Sequence, residues 1–126
     1  MGIPQDLRYT NDHEWVRVDG ENVRVGITDY AQDALGDVVY IELPAVGDSV
    51  DVQAGMGEVE STKSVSDLFA PVSGTVVEVN TSLEDAPGLL NSDPYGEGWL
   101  CVLSLDDPTQ LDALLDAGAY AELIGE

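Results

Sequence analysis

The stretch that decides the fold is residues 58–71, which read Glu58-Val59-Glu60-Ser61-Thr62-Lys63-Ser64-Val65-Ser66-Asp67-Leu68-Phe69-Ala70-Pro71. Lys63 is the only lysine in the chain, and the other cations are Arg8, Arg17 and Arg24. Apolar residues flank a run of small hydroxylic ones, which predicts two strands joined by a turn over residues 61–64. The lysine is therefore expected at an exposed hairpin tip, within reach of another protein's active site. Its amine can lose a proton and be acylated, whereas the guanidinium of arginine cannot.

The composition predicts one globular domain that spans residues 1–126. Hydrophobic residues make up 44% of the 126, which is enough to build a core in spite of a formal net charge of −21. We expect the core over about residues 7–105 and a C-terminal helical segment over about residues 107–124. This organisation leaves no room for a second domain of ordinary size.

The charge excludes several classes of partner. Four cations spread along the chain form no basic patch that would neutralise phosphates, so neither nucleic acid nor an anionic membrane is an expected partner. The excess of acid also predicts a salt-adapted prokaryotic source. At about 1 M salt the Debye length is roughly 3 Å, which would screen most of the self-repulsion.

Three further features predict a cytoplasmic protein. No apolar run is as long as a membrane span. Residues 1–6 form neither a signal peptide nor an arginine-rich transit segment. The only cysteine, Cys101, cannot form an internal disulfide, which is consistent with a reducing compartment. Because Cys101 lies in an apolar stretch, we expect it to pack in the core.

The alternation of apolar and polar residues predicts a mainly β protein. Besides the lysine hairpin, strands are predicted at residues 13–18, 23–27, 38–43, 50–52, 75–79 and 99–105. Residues 36–41 and 74–79 are similar to each other and form a weak internal repeat. Two such units on either side of a hairpin predict a flattened barrel of two packed sheets.

Two helices are predicted. Thr28 is expected to cap a short helix over residues 29–35, and Gly36 is expected to end it. Asp107 as a cap, Pro108 at the first helical position and Gln110 in a capping box predict the second, which would pack on the outside of the barrel. A further helical segment is expected over residues 120–124. The intervening residues 80–98 are polar and rich in glycine and proline, so they predict a long surface connection.

Three interpretations of Lys63 follow from residue type alone: a solvated turn residue, a Schiff-base nucleophile, or the attachment point of a carried group. A Schiff-base lysine needs a neutral amine, which burial or nearby cations produce. The nearby carboxylates Glu60 and Asp67 favour the charged amine instead. The pattern therefore favours a non-catalytic carrier, loaded by a separate enzyme, over an enzyme.

Asp12, His13 and Glu14 are adjacent and suggest a metal cluster by residue type. Successive side chains on a strand point to opposite faces, so these three are not expected to converge on one ion. No metal site is predicted, and His13 is expected to form a local hydrogen bond where the strand begins.

Several stretches in the same order resemble the glycine cleavage system H proteins. The stretches are Tyr9-Thr10-Asn11-Asp12-His13-Glu14-Trp15, Val25-Gly26-Ile27-Thr28-Asp29-Tyr30-Ala31, Leu35-Gly36-Asp37-Val38-Val39, Glu60-Ser61-Thr62-Lys63-Ser64 with Ser66-Asp67, Pro71 and Gly74, and Pro87-Gly88-Leu89-Leu90-Asn91. The hairpin is similar to the family's Glu-Ser-Val-Lys-Ala, with Thr62 for valine and Ser64 for alanine. Biotin carriers instead have Ala-Met-Lys-Met, and lipoyl domains of 2-oxoacid dehydrogenases have Asp-Lys-Ala. The resemblance runs from about Leu7 to the C-terminal helix.

The resemblance implies an all-β barrel-sandwich hybrid of the lipoyl/biotinyl type, with lipoic acid attached covalently to Lys63. It further implies a shuttle that carries an aminomethyl group from glycine decarboxylase to a tetrahydrofolate-dependent aminomethyltransferase, and then electrons to dihydrolipoyl dehydrogenase. A lipoate ligase or transferase would attach the cofactor. Two alternatives stay open: a lipoyl storage or relay carrier for other lipoyl domains, and an interaction module in which Lys63 is unmodified.

The resemblance also implies a surface cleft into which the loaded arm folds back. The positions that match its walls are Glu14 and Asp67, with Asp12 nearby. Carboxylates suit such a cleft because an arm that bears a methylamine is cationic. This role is an expectation for Glu14, Asp67 and Asp12.

Overall fold

The computed structural model describes residues 3–125 as two antiparallel sheets that enclose a common core. The strands are β1 Arg8–Tyr9, β2 Glu14–Asp19, β3 Asn22–Ile27, β4 Val38–Glu42, β5 Ser49–Val50, β6 Gly55–Ser61, β7 Val65–Phe69, β8 Gly74–Val79 and β9 Cys101–Leu105. The helices are α1 Asp29–Leu35, α2 Ser82–Asp85, α3 Leu89–Ser92 and α4 Ala117–Ile124, with a 3-10 helix at Pro108–Ala113. The predicted mainly β architecture is confirmed.

The strand order separates the lysine hairpin from most of the other strands. One sheet has the order β1-β2-β3-β9-β8-β5, and the other has the order β4-β6-β7. The hairpin strands β6 and β7 therefore form two of the three strands of the smaller sheet. No helix within residues 3–125 is long and apolar enough to cross a bilayer.

The helix α1 forms as its sequence predicts. The Thr28 hydroxyl accepts the backbone N–H of Ala31 at 3.2 Å, which satisfies one of the donors that every helix leaves free at its start. Gly36 ends the helix with a φ of 82°, a conformation that glycine adopts without steric cost. The helix thus begins and ends where local chemistry places its caps.

The internal repeat corresponds to a shared irregularity of the backbone. The ladder between β4 and β6 skips Val39, and the ladder between β8 and β9 skips Val77, which occupies the same place in the second copy. A bulge of this kind bends its strand and increases the local twist. Because the two copies lie in different sheets, the repeat marks one bent strand in each sheet.

The prediction of a plain surface connection over residues 80–98 is wrong in part. The segment folds into α2 and α3, in which Leu83 and Leu90 are fully buried. The side-chain amide of Asn80 donates to two backbone carbonyls near the other end of the segment, at 2.7 and 2.8 Å. Each helix is a single turn, too short to produce the hydrophobic periodicity on which a sequence-based assignment depends.

The C-terminal segment also differs from the prediction. Asp107 caps as expected, but the helix that begins at Pro108 is a 3-10 helix, and the α-helix α4 begins only at Ala117. Gln110 makes no capping box. Its carbonyl oxygen instead accepts the backbone N–H of Ser73 at 2.7 Å, which ties the 3-10 helix to the turn before β8. A tertiary contact has replaced the local one.

A second cluster of buried side chains lies outside the main core and packs α4 against β1 and β2. Tyr9, Trp15 and Tyr120 are fully buried there, and the rings of Tyr9 and Tyr120 stack with their centroids 4.6 Å apart. Trp15 lies across Gly26 of β3, where any Cβ would collide with the indole ring. The helix α4 therefore contributes to the interior and does more than cover the barrel.

Candidate functional site

The tip of the β6–β7 hairpin holds Lys63 in solvent. The hydroxyl of Ser61 accepts the backbone N–H groups of Lys63 and Ser64, both at 3.2 Å, and the Ser61 backbone N–H donates to the Ser64 carbonyl at 2.8 Å. Ser61 itself is buried. The turn is thus held by the hydrogen bonds of one small buried side chain, and Lys63 itself is exposed.

A cleft of about 260 Å³ opens beside this hairpin, between β7 and the helix α1. Its polar lining consists of Asp12, His13, Glu14, Ser64, Ser66 and Asp67, and its apolar lining consists of Ile27, Ala31, Ala34, Leu35, Val59 and Leu68. The structure therefore brings Asp12, Glu14 and Asp67 together from two distant parts of the chain. Ser64, the chain neighbour of Lys63, extends the cleft to the hairpin tip.

Glu14 is the most perturbed group in the cleft. Only 2% of the residue is exposed. Its Oε2 accepts the backbone N–H of Phe69 at 2.8 Å, while its Oε1 is buried and has no hydrogen-bond partner among the described residues. Burial raises the pKa of Glu14 to about 8, because the charged form loses its hydration. At neutral pH the carboxyl is therefore mostly protonated, and its buried Oε1 is a polar atom without a partner among residues 3–125.

The other two carboxylates of the cleft differ from Glu14 because they are exposed to water. Asp67 lies in the middle of β7, and Asp12 lies in the turn before β2, where its backbone N–H donates to the Thr10 hydroxyl at 3.2 Å. An exposed carboxylate keeps its hydration, so it attracts cations at little cost in desolvation. The cleft thus combines two exposed carboxylates with one buried acid.

The expected alternation of Asp12, His13 and Glu14 between opposite faces is not observed, since all three line the cleft. The strand β2 begins only at Glu14, and His13 has a φ of 65°, which lies outside the strand region. Even so, no group of three His, Cys, Asp or Glu side chains within residues 3–125 is placed to hold a metal ion.

The predicted local hydrogen bond of His13 is present, because its backbone N–H donates to the carbonyl of Thr10 at 3.2 Å, but the side chain also has a distant partner that was not predicted. Its Nδ1 lies 3.0 Å from the hydroxyl of Tyr120 in α4, and that hydroxyl lies 2.7 Å from the hydroxyl of Thr28. Burial lowers the pKa of His13, which favours the neutral ring. The C-terminal helix is therefore bonded both to the cleft wall and to the cap of α1.

The apolar wall of the cleft was not identified from the sequence. Ile27 ends β3, and Ala31 and Leu35 lie on α1. One signal was available: residues four apart share a helix face, so Ala31 and Leu35 must lie side by side. Nothing in the sequence shows that this face borders the hairpin, because that placement depends on how α1 packs.

Comparisons with known proteins agree along nearly the whole chain. The profile of the family described as glycine cleavage H-protein matches residues 7–126. The chain is 57% identical to the glycine cleavage system H protein of Anaeromyxobacter sp. (strain K), with 100% of this chain and 98% of that protein covered. It is 54% identical to the glycine cleavage system H protein of Geobacillus kaustophilus (strain HTA426), with 100% and 99% covered.

A solved structure is similar as well. The crystal structure of a glycine cleavage system H protein from Mycobacterium marinum matches with a TM-score of 0.88 at 47% identity. The match covers 98% of this chain and 100% of that one. The two therefore share the arrangement of both sheets.

Proposed function

Because the chain belongs to the glycine cleavage H-protein family, we propose that it carries the lipoyl group of the glycine cleavage system on Lys63. The observation that supports this assignment is the exposure of the only lysine at a hairpin tip, next to a cleft that contains three carboxyl groups. A lysine needed only for solubility would not be unique in a chain with 25 acidic residues. The residues present fit a covalently attached arm.

In this proposal the partner enzymes catalyse the reactions, and this chain carries the reacting group. When attached, a lipoyl group supplies a cyclic disulfide that accepts an aminomethyl group and electrons. Glycine decarboxylase, the aminomethyltransferase and dihydrolipoyl dehydrogenase would perform the reactions, and a lipoate ligase or transferase would modify Lys63. This chain would present the arm and protect what it carries. A tethered group is useful because it meets each partner at a high effective concentration.

The cleft residues have a distinct role in the proposal. Asp12 and Asp67 would attract a cationic group, and Glu14 would accept a hydrogen bond from it through the unpartnered Oε1. A cation next to Glu14 favours the ionised carboxyl, so its pKa would fall and a proton would leave as the cation enters. A buried pair of opposite charges excludes water from the carried group, which slows its hydrolysis.

Intact mass of the protein from its own host, followed by the mass of the peptide that contains Lys63, tests the attachment. We expect the mass of one lipoyl group on Lys63. The variant K63R should carry none and should abolish glycine oxidation when it is combined with the three partner enzymes. R8K is a matched control, because it adds an exposed lysine on β1 that should stay bare.

Three outcomes would contradict the proposal. If K63R supports glycine oxidation, the attachment site is elsewhere. If Lys63 is bare in the host, the chain is an unmodified interaction module. If Lys63 is loaded but the protein does not support glycine oxidation, a storage or relay carrier is the better description.

A further inference from the structure

The side chain of Lys63 does not stand alone at the hairpin tip. Its aliphatic stem lies against Gly36, where a Cβ would come within 3.2 Å of the lysine Cε and 3.4 Å of Cδ. The backbone N–H of Thr62 also donates to the carbonyl of Asp37 at 3.0 Å. We call residues 36–38 the Gly36 platform. The hairpin tip and the lysine stem both rest on this platform.

The Gly36 platform is held by one side chain from a distant part of the sequence. The amide nitrogen of Asn91 donates to the carbonyl of Gly36 at 2.8 Å and to Oε1 of Gln32 at 3.0 Å. Its amide oxygen accepts the backbone N–H of Val38 at 2.9 Å. The nitrogen and the oxygen of the Asn91 side-chain amide therefore both have hydrogen-bond partners, and these include Gly36 and Val38 at the two ends of the platform.

Asn91 is held close to the main core. It lies in α3, next to Leu90, which is fully buried in the main core. The platform is also the junction between the end of α1 and the start of β4. Without the amide, the carbonyl of Gly36 and the N–H of Val38 would lose these bonds, and the junction would be free to shift relative to the hairpin.

The direction of the lysine stem affects acylation. A lysine side chain has four rotatable bonds and loses rotamer entropy when it is fixed in one conformation. An enzyme that transfers an acyl group needs the amine in one orientation, and a misplacement of about 1 Å can reduce the rate by about a hundredfold. A stem that already lies along the platform has part of this orientation in place before the enzyme binds.

We propose that Asn91 is a positioning residue for the acylation of Lys63 and acts through the Gly36 platform. This inference rests on the proposed function, since it assumes that Lys63 is the attachment site. It assigns a role to the connection between β8 and β9, which the proposed function does not use. Asn91 is not a catalytic residue, because it reaches neither the amine nor the acyl donor.

The test uses the full-length unmodified protein, a purified lipoate ligase, lipoate and ATP, with the product measured by intact mass. N91A should lower kcat/KM for acylation of Lys63 by about ten- to a hundredfold. N91D should also lower it, because aspartate keeps an acceptor for the N–H of Val38 but cannot donate to Gly36. If N91A does not fold, N91D still provides the test. Thermal melts should show that each variant used is folded at the assay temperature.

N80A is the matched control. Asn80 lies at the start of the same connection and also donates its amide to two backbone carbonyls, but it does not touch the platform. Loss of the Asn80 side-chain amide should destabilise the connection between β8 and β9 and leave kcat/KM for acylation within about twofold of the native value. A second measurement is acylation of Lys63 by a small N-hydroxysuccinimide ester, which approaches from any direction and should react at similar rates with all variants.

The outcomes separate this inference from the proposed function. If the ligase acylates N91A and N91D as fast as the native protein, or if N80A loses as much activity, Asn91 has no positioning role. If the small ester also slows in N91A, the effect lies in the reactivity of the amine and the inference is wrong. If the ligase does not acylate native Lys63 at all, the proposed function fails, and the inference fails with it.

Discussion

Glu14 is a carboxylic acid that the fold removes almost completely from water, and its behaviour differs from that of the other acidic residues. In the unfolded chain its pKa is close to 4.5, whereas burial raises the pKa in the folded protein to about 8. Between these two values the folded protein keeps a proton that the unfolded chain has lost. Glu14 therefore makes the protein less stable as the pH rises from about 4.5 to about 8.

E14Q should remove this dependence. We expect the difference in unfolding free energy between E14Q and the native protein to change by up to about 1.4 kcal/mol per pH unit inside the window and to be flat outside it. Denaturant melts from pH 4 to pH 9 measure it. E84Q, which changes an exposed glutamate of α2, is the control. Parallel stability curves for E14Q and the native protein would show that Glu14 ionises normally.

The same residue should control the lifetime of the carried group. With the arm loaded, E14Q and D67N should each release the aminomethyl group about tenfold faster, since an amide keeps an acceptor oxygen but loses the charge, and a charged hydrogen-bond partner is worth about 1.5–3 kcal/mol against about 1 kcal/mol for a neutral one. The rate of formaldehyde or ammonia release measures this loss. D48N, which changes an exposed aspartate in the turn before β5, should release the group at the native rate. An unchanged release rate in E14Q and D67N would show that the cleft does not protect the aminomethyl group.

At the scale of the elements, the C-terminal helix α4 is joined to the cleft by one hydroxyl. Tyr120 bonds both Thr28, which caps α1, and His13, whose backbone has a positive φ. The helices α1 and α4 lie far apart in the sequence, and these hydrogen bonds, with the edge contact between the rings of His13 and Tyr120, relate both helices to the same wall of the cleft. Stability of α4 and order in the cleft should therefore change together.

Y120F tests this coupling. Loss of the hydroxyl should cost about 1–3 kcal/mol, because buried polar groups lose a partner. Hydrogen exchange should accelerate at the amide of Ala31 in the first turn of α1. Y30F is a suitable control, since Tyr30 is partly exposed and contacts the ring of His13 without belonging to this chain of hydrogen bonds. If Y120F has the same Tm as the native protein and the amide of Ala31 exchanges at the native rate, α4 is not coupled to the cleft.

At the scale of the whole molecule, the net charge of −21 has a structural counterpart. Glu42, Glu58 and Asp67 lie directly opposite one another across the three strands of the smaller sheet. Each like-charged pair of this kind costs roughly 0.2–1 kcal/mol. Salt weakens such repulsion, so the fold should be stabilised by ionic strength.

Thermal melts from about 0.1 to about 3 M KCl should show a rising Tm, since the Debye length falls below about 10 Å over this range. E58Q removes the central charge of the row and should be more stable at low salt and less sensitive to salt. E21Q, in the exposed turn between β2 and β3, should retain the native salt dependence. A Tm independent of salt would contradict the predicted salt adaptation.

Local chemistry was sufficient for several elements. The lysine hairpin, the cap of α1 at Thr28 and the glycine that ends α1 depend on residues within a few positions of one another, so the sequence predicted them. The same holds for the strands β2 and β3, which were predicted at residues 13–18 and 23–27. Where a side chain found its partner far away, the sequence did not predict that partner. The side chain of Gln110 bonds Ser73 instead of forming a capping box, and the ring of His13 contacts Tyr120, although its backbone N–H bonds Thr10 locally as expected.

The sequence by itself determined the mainly β class, the exposed position of Lys63 and the family, because these depend on periodicity, turn chemistry and motif order. Only the tertiary structure decided that Glu14 is buried with an oxygen that has no partner among residues 3–125, and that Asn91 holds the surface on which Lys63 lies. The physical reason is that burial and long-range hydrogen bonds arise from the packing of segments that are 50 or more residues apart, and no local pattern records which segments meet.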